Sequence, residues 1–324
     1  MPADPSTSRS GSATSPGRLV RKTVPLRHPG RWAAVAIIAL VFASLVASAS
    51  ANPNYQWNVV WHYLFSAPIL TGLSHTVELT VGSMAIGIAL GIVLAVMRLS
   101  PNPVISTAAS VYIWVFRGIP VLVQLLFWYF LSALFPRLSI GIPFGPSLLS
   151  VDTNHVITQL TAAILGLGLS EGAYMAEIVR SGILSVSPGQ NDAAKSLGMK
   201  GLLTMRRIVL PQALRIIIPP TGNETIGMLK NTSMVIVIAY TDLLTSVSLI
   251  YARTYETIPL LIVACIWYLA VTTVLMFVQS GIERRFGRGF MPRREPGRLA
   301  RTRARLFNRS ATAGATHVAG GGDA

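Results

Sequence analysis

The chain has 324 residues, of which 52% are hydrophobic and only 12% charged, and its mean hydropathy is +0.55. Soluble domains carry about 25% charged residues, so an ordinary soluble domain is excluded, and the long uncharged runs do not alternate as β-barrel strands would. A net charge of +15 would suit a nucleic-acid binder, but the excess lies in loops and tails around apolar runs, as the positive-inside rule expects. The single cysteine, Cys265, sits inside an apolar run. It excludes an internal disulfide and a cysteine metal cluster, and it reads as a buried thiol.

Residues 1–31 are rich in Ser, Pro and Arg and read as a disordered basic tail. Residues 32–51 form an uncharged run of 20 residues, long enough to cross a bilayer. Basic residues before it and Ala49-Ser50-Ala51 at its end also fit a cleavable signal peptide. The run exceeds the ~7–15-residue apolar core of such peptides, which favours a retained first helix. Asn52 to Thr71 holds Tyr55, Trp57, Trp61 and Tyr63 without formal charge and suits an interfacial segment.

A second span covers Thr76 to Met97. Its Gly and Ala content permits close helix approach. A turn at Ser100-Pro101-Asn102-Pro103 leads into a third span, Ala108 to Leu134, where Arg117-Gly118-Ile119-Pro120 predicts a kink or a late start. Pro136 to Ser150 reads as an outer loop. The fourth span, Ile157 to Val179, carries Glu171 and Glu177. The fifth starts near Ile216, contains Pro219-Pro220, Glu224 and Lys230, and precedes an outer loop from Asp242 to Glu256. The sixth runs from Thr257 to Gly281. Residues 282–324 read as a second basic, disordered tail. The expectation is an all-α polytopic membrane protein with about six transmembrane helices and a main domain over residues 71–281.

Lys and Arg set the orientation. With the N-terminus inside, the inner loops hold seven of them and the outer loops two, Arg137 and Arg253. Both termini and the segment Gly189–Leu214 are therefore expected in the cytoplasm.

That segment is the longest charge-bearing interval between two spans. It contains Gly189, Gln190, the triplet Asp192-Ala193-Ala194, Gly198 and Leu210-Pro211. Pro188 and Gly189 end the fourth span's extension, a helix follows, Gly198 turns the chain, and a second helix from about Leu202 to Ala213 returns to the membrane. Small alanines would let a partner approach the backbone, and Asp192 offers it a carboxylate. A loop lying flat on the membrane is the plainer alternative. No G-x-x-x-x-G-K-[ST] phosphate loop occurs; Gly166-Leu167-Gly168 lacks the lysine.

The segment resembles the EAA loop of bacterial ABC importer permeases. Tyr112 to Gln124, Gly172 to Ile183 and Pro219 to Ser233 are similar to the polar amino-acid permease family, which includes the histidine and glutamine importers. The resemblance covers about Gly72 to Gly281. It implies the MetI-like permease fold and a helix-turn-helix that docks on a separate ABC ATP-binding subunit. It also implies an external solute-binding protein and a second permease chain, identical or not, within the cell membrane and its lipid. The family's acid is usually Glu where this chain has Asp192, one methylene shorter. The chain itself would bind no cofactor, metal or nucleic acid and would have no catalytic residue; ATP would be bound by the partner.

Ionisable residues inside spans are functional candidates by default. Lys230, with Asn231, Thr232 and Ser233, is a candidate for a substrate carboxylate, and Glu224 for a substrate amine. Lys230 paired with Glu224 or Glu177 is the alternative, although six helical residues separate Glu224 and Lys230 by about 120°. Arg117, Gly118, Pro120 and Glu177 read as gate or structural residues, with Glu171 packing between spans. Related solutes such as opines or compatible solutes fit the same features. An ion-coupled transporter relaying protons through Glu171, Glu224 and Lys230 is a rival of another class.

Overall fold

The structure is a computed structural model and describes residues 29–141 and 147–286. The chain forms two compact units, one ending at Tyr55 and the other beginning at Gln56. Both expected disordered tails fall largely outside the described residues. The first unit holds helix α1 (Pro29–Ala51) and a 3₁₀ turn at Pro53–Tyr55. The large apolar side chains of α1, from Trp32 to Val46, are exposed, as a lipid-facing helix requires.

The second unit begins with α2 (Trp57–Leu64) and α3 (Ala67–Arg98). Asn102 caps α4 (Pro103–Gly118) by accepting from the Val104 N–H, with proline in the first turn. Next come α5 (Val121–Tyr129), the short α6 (Leu131–Leu134), an antiparallel pair β1 (Arg137–Gly141) and β2 (Ser147–Asp152), and the short α7 (Thr153–Val156). Thr158 caps α8 (Gln159–Leu184). Then α9 (Pro188–Ser196) and α10 (Gly201–Thr204) lead through a π turn at Met205–Val209 into α11 (Leu210–Asn231). A 3₁₀ segment at Thr232–Ile238, α12 (Leu243–Thr254) and α13 (Thr257–Phe286) complete the unit.

Among the described residues four helices, α1, α3, α8 and α13, are long and apolar enough to cross a membrane, and the number rises to six if two bent pairs each make one span. The 32 residues of α3 extend about 48 Å at 1.5 Å per residue, well beyond the ~30 Å hydrocarbon core. It therefore crosses tilted or projects from it.

Several expected boundaries are corrected. The third span is no mild kink: α4 and α5 meet at 99°. Ile119 is extended and Pro120 opens α5, because proline cannot continue the helix and restricts the residue before it. The Gln124 amide donates to the carbonyls of Phe116 (3.0 Å) and Ile119 (2.8 Å), closing backbone acceptors that the break frees. The proline pair does not break the fifth span. Pro219 and Pro220 lie inside α11, and the helical run continues from Gly201 to Ile238. The backbone irregularity sits instead at the π and 3₁₀ segments.

The two loops expected outside also contain regular structure. Asp242–Glu256 is mostly α12. Asp242 is fully buried, caps the Thr245 N–H at 2.8 Å, accepts from its hydroxyl at 2.7 Å, and accepts from the Tyr268 hydroxyl at 3.3 Å. Pro136–Ser150 contains strand residues rather than a plain loop. Cys265 is exposed, not buried: α13 turns much of its apolar surface outward, as Phe277 and Leu269 show.

The closest packing is between α3 and α8. Gly87 and Gly91 on α3 and Gly168 and Gly172 on α8 each recur at a spacing of four, the small-xxx-small pattern of tight membrane helix pairs. A Cβ built on Gly87 would lie 2.5 Å from Glu171 Cγ, one on Gly172 would lie 2.8 Å from Leu90 Cδ2, and one on Gly91 would overlap Met175. Gly91→Ala is therefore expected to destabilise the protein by about 1–3 kcal/mol, seen as a lower melting temperature. Gly227→Ala, with open space at its Cβ, should melt at or above the parent temperature. Equal melting of the two variants would show that the seam tolerates a methyl group.

Candidate coupling loop and substrate path

The loop between α8 and α11 is a helix-turn-helix. α8 ends at Leu184, and Pro188 occupies the first turn of α9, where its missing N–H costs nothing. The proline-glycine pair thus opens the new helix rather than closing the old one. The turn is a Schellman motif: Gly198 has φ +71°, its N–H donates to the Lys195 carbonyl at 2.9 Å, and the Met199 N–H donates to Ala194 at 3.0 Å. Nothing lies within 4 Å of a Cβ built on Gly198. Backbone conformation, not space, demands the glycine.

The alanine pair divides. Ala194 is buried at 1% exposure, with α9 resting on the Met205–Val209 turn, whereas Gly189, Gln190, Asp192 and Ala193 are exposed. Only Ala193 of the two offers its face to a partner. Asp192 forms no ion pair among the described residues. Leu197 and Leu202 flank the turn and are more than 80% exposed, which leaves two large apolar side chains on the loop's outer face. The second helix starts at Gly201 and does not end at Ala213. The π turn precedes Leu210-Pro211, and the helix runs on into the membrane segment.

The ionisable residues gather differently from the sequence expectation. Lys230 is exposed, in the last turn of α11, and makes no ion pair among the described residues. Of its neighbours Thr232 is buried, and Asn231 and Ser233 are half-buried. The Thr232 hydroxyl donates to the Leu229 carbonyl and the Ser233 hydroxyl to Lys230, each at 2.7 Å. Glu224 is half-buried on α11 and lies within electrostatic reach of Arg117 and of Glu171. The fold thus brings Glu224 into the field of Arg117, which lies on another helix.

Arg117 occupies the last turn of α4, beside the 99° bend. Its guanidinium stacks over the Tyr174 ring, 5.1 Å from the centroid. Glu177 sits one turn along α8 from Tyr174 and is paired with Arg180 at 2.8 Å. Together with Arg98, Ser110 and Trp114 these residues line a polar cavity of about 420 Å³, within the range of small-molecule sites. Glu171 is buried at 5% exposure against Gly87, and its Oε1 makes no hydrogen bond among the described residues.

Tyr174, Trp114 and Arg98 were not among the sequence candidates. Tyr174 and Glu177 are three apart on α8, so their shared face was readable, but Arg98 and Trp114 join them only through the fold. None of the His, Cys, Asp and Glu side chains among the described residues form a metal cluster.

Residues 87–288 match the family described as the binding-protein-dependent transport system inner membrane component. The chain is 48% identical to the arginine transport system permease protein ArgU of Corynebacterium glutamicum, over 82% of this chain and 83% of that one. It is 31% identical to the glutamine transport system permease protein GlnP of Escherichia coli strain K12, over 72% and 98% of the two chains. Its fold superposes on a chain from the crystal structure of an amino acid ABC transporter with histidines, with a TM-score of 0.59 and 35% identity, covering 71% of this chain and 98% of that one.

Because only φ forces glycine at position 198, Gly198→Val should strain the turn by about 1–2 kcal/mol. Amide hydrogen exchange over residues 189–203 is expected to accelerate while α8 and α13 keep their protection. Unchanged exchange in the loop would show that a side chain is accommodated there.

Proposed function

The chain belongs to the family of binding-protein-dependent transport system inner membrane components and is an amino-acid ABC transporter permease; from that premise we propose that it imports a cationic amino acid, of the arginine class. The observation that carries the substrate class is the α4–α8 cavity lined by Arg117, Tyr174 and Glu177, with Glu224 within electrostatic reach of Arg117 and of Glu171. A basic amino acid carries an α-carboxylate, an α-ammonium and a second cation. Arg117 suits the first as a planar fork, and the carboxylates suit the other two. The 48% identity to an arginine transport permease supports the same choice.

In this reading the loop Gly189–Leu214 docks on an ATP-binding subunit. Asp192 and Ala193 touch the partner, with Gly189 and Gln190 beside them and Leu210-Pro211 behind the turn. Both termini and this loop face the cytoplasm, a solute-binding protein delivers substrate from outside, and a second permease chain completes the path. Nucleotide chemistry belongs to the partner, so the permease contributes two conformations whose balance ligands at both ends bias. The helical run Gly201–Ile238 supports such a relay, since one stiff element joins the loop to Glu224. Arg117, Gly118 and Pro120 at the α4–α5 bend act as a gate. Lys230, exposed and without an ion pair among the described residues, is a second contact for a substrate carboxylate. The rival proton relay through Glu171, Glu224 and Lys230 is less favoured, because Lys230 stands apart from the two acids.

Uptake of labelled arginine by the full transporter in proteoliposomes tests this reading. Transport should require enclosed ATP and survive collapse of the membrane potential; the reverse pattern would establish ion coupling. Glu224→Gln should raise the apparent KM for arginine by about tenfold, the loss of about 1.4 kcal/mol, and leave glutamine uptake untouched. An equal effect on both solutes would remove Glu224 from side-chain recognition. Lys230→Met should alter affinity across an amino-acid panel, and unchanged uptake would take Lys230 off the path. Gly198→Val should leave membrane insertion intact and uncouple ATP hydrolysis from uptake, whereas parental uptake would refute the coupling role of the turn.

A further inference from the structure

A second cavity, of about 650 Å³, opens between α3, α8, α11 and α13. It lies on the face of α8 away from the polar cavity. Met175, Val179 and Ile183 line it, and at 100° per residue Tyr174 and Glu177 stand roughly 140–160° around the helix from that stripe. One wall residue from each helix shows its character: Ile92, Val179, Leu214 and Val278.

The polar residues in the wall are Thr221, Thr225 and Gln279. Thr221 donates to the Ile217 carbonyl at 2.8 Å and Thr225 to the Thr221 carbonyl at 2.9 Å. Gln279 Nε2 is shared among Asn223 Oδ1 (3.0 Å), Glu283 Oε1 (2.8 Å) and the Pro219 carbonyl (3.3 Å). With these donors engaged inside the chain, the groove presents hydrocarbon to its contents. A polar solute would lose its hydration there without replacement. An acyl chain would lose none.

One end of the groove is basic. Met205 and Leu210 line it at the π turn, and Arg206 and Arg207 lie between them, exposed. Ile282 lines it on α13. Arg285, three residues further on, continues that face, with Arg284 beside it, both exposed. The acid at this end, Glu283, is engaged by Gln279. Four exposed arginines close in sequence to lining residues at this end complement a phosphate headgroup attached to an acyl chain, and basic pockets between membrane helices suit such headgroups.

We propose that this groove holds an acyl chain of an anionic phospholipid, its phosphate set against Arg206, Arg207, Arg284 and Arg285. The site is separate from the substrate path and does not depend on which amino acid the protein carries.

The test is lipid retention by the full chain. The protein is reconstituted in vesicles of phosphatidylglycerol and phosphatidylethanolamine at a ratio of about 1:3, chosen so that the zwitterionic lipid is in excess, then extracted and examined by native mass spectrometry. Phosphatidylglycerol should be retained at least fivefold over phosphatidylethanolamine, relative to supply. Ile92→Trp, at a partly exposed wall position, fills the groove; the paired change Arg284→Gln and Arg285→Gln removes headgroup contacts at exposed positions. Each should lower retained phosphatidylglycerol at least fivefold at unchanged melting temperature, while Lys195→Gln on α9 should not. The proposal is overturned by equal retention of the two lipids or by parental retention in both variants. It is equally overturned by a chain–chain dimer that Ile92→Trp disrupts, since the groove would then receive protein.

Discussion

The glycine seam between α3 and α8 is the contact on which the rest of the membrane unit is built. Lipid tails are as apolar as leucine, so helices in a bilayer gain little by hiding hydrocarbon from one another. They gain by approaching closely enough for backbones and short side chains to interlock. Gly87 and Gly91 provide that approach on one helix, and Gly168 and Gly172 on the other. The seam also determines where an acid can be held. Glu171 is tucked against Gly87 because no side chain stands in its way, and from there it reaches the field of Glu224 on α11.

A second constraint is the need to satisfy backbone polar groups away from water. Where Gly118 and Pro120 stop α4, the Gln124 side chain supplies two donors to the freed carbonyls. The chain can then turn through 99°, and Arg117 is left at the turned end, over Tyr174. At the other end of the unit Asp242 plays the corresponding part: it caps α12 and receives the Tyr268 hydroxyl, joining α12 to α13. Proline does not by itself dictate a break. Pro219 and Pro220 remain in a continuous helix, and the irregular turns fall before α11, at Met205–Val209, and after it, at Thr232–Ile238.

The two cavities show how one helix serves different solvents. Tyr174 and Glu177 give α8 a polar side with charges held in pairs and stacks. Met175, Val179 and Ile183 give it an opposite side of hydrocarbon. The proposed substrate path and the proposed lipid groove are thus separated by the thickness of a single helix.

Membership of a helical membrane family, the approximate spans and the turn at Gly198 were legible in the sequence, because each rests on local chemistry. Uncharged length specifies a span, a glycine after a short amphipathic helix specifies a left-handed turn, and four ordered motifs specify the family. The seam was half legible: glycines at a spacing of four can be read on each helix, but not that the two stripes meet. What only the tertiary structure decided were the associations between distant segments. Glu224 comes within the field of Arg117, Ala194 turns inward while Ala193 stays outside, Asp242–Thr254 forms a capped helix on a buried acid, and Cys265 faces outward. Each depends on which helix face meets which neighbour. In a chain apolar on nearly every face, periodicity does not announce that choice; close packing makes it.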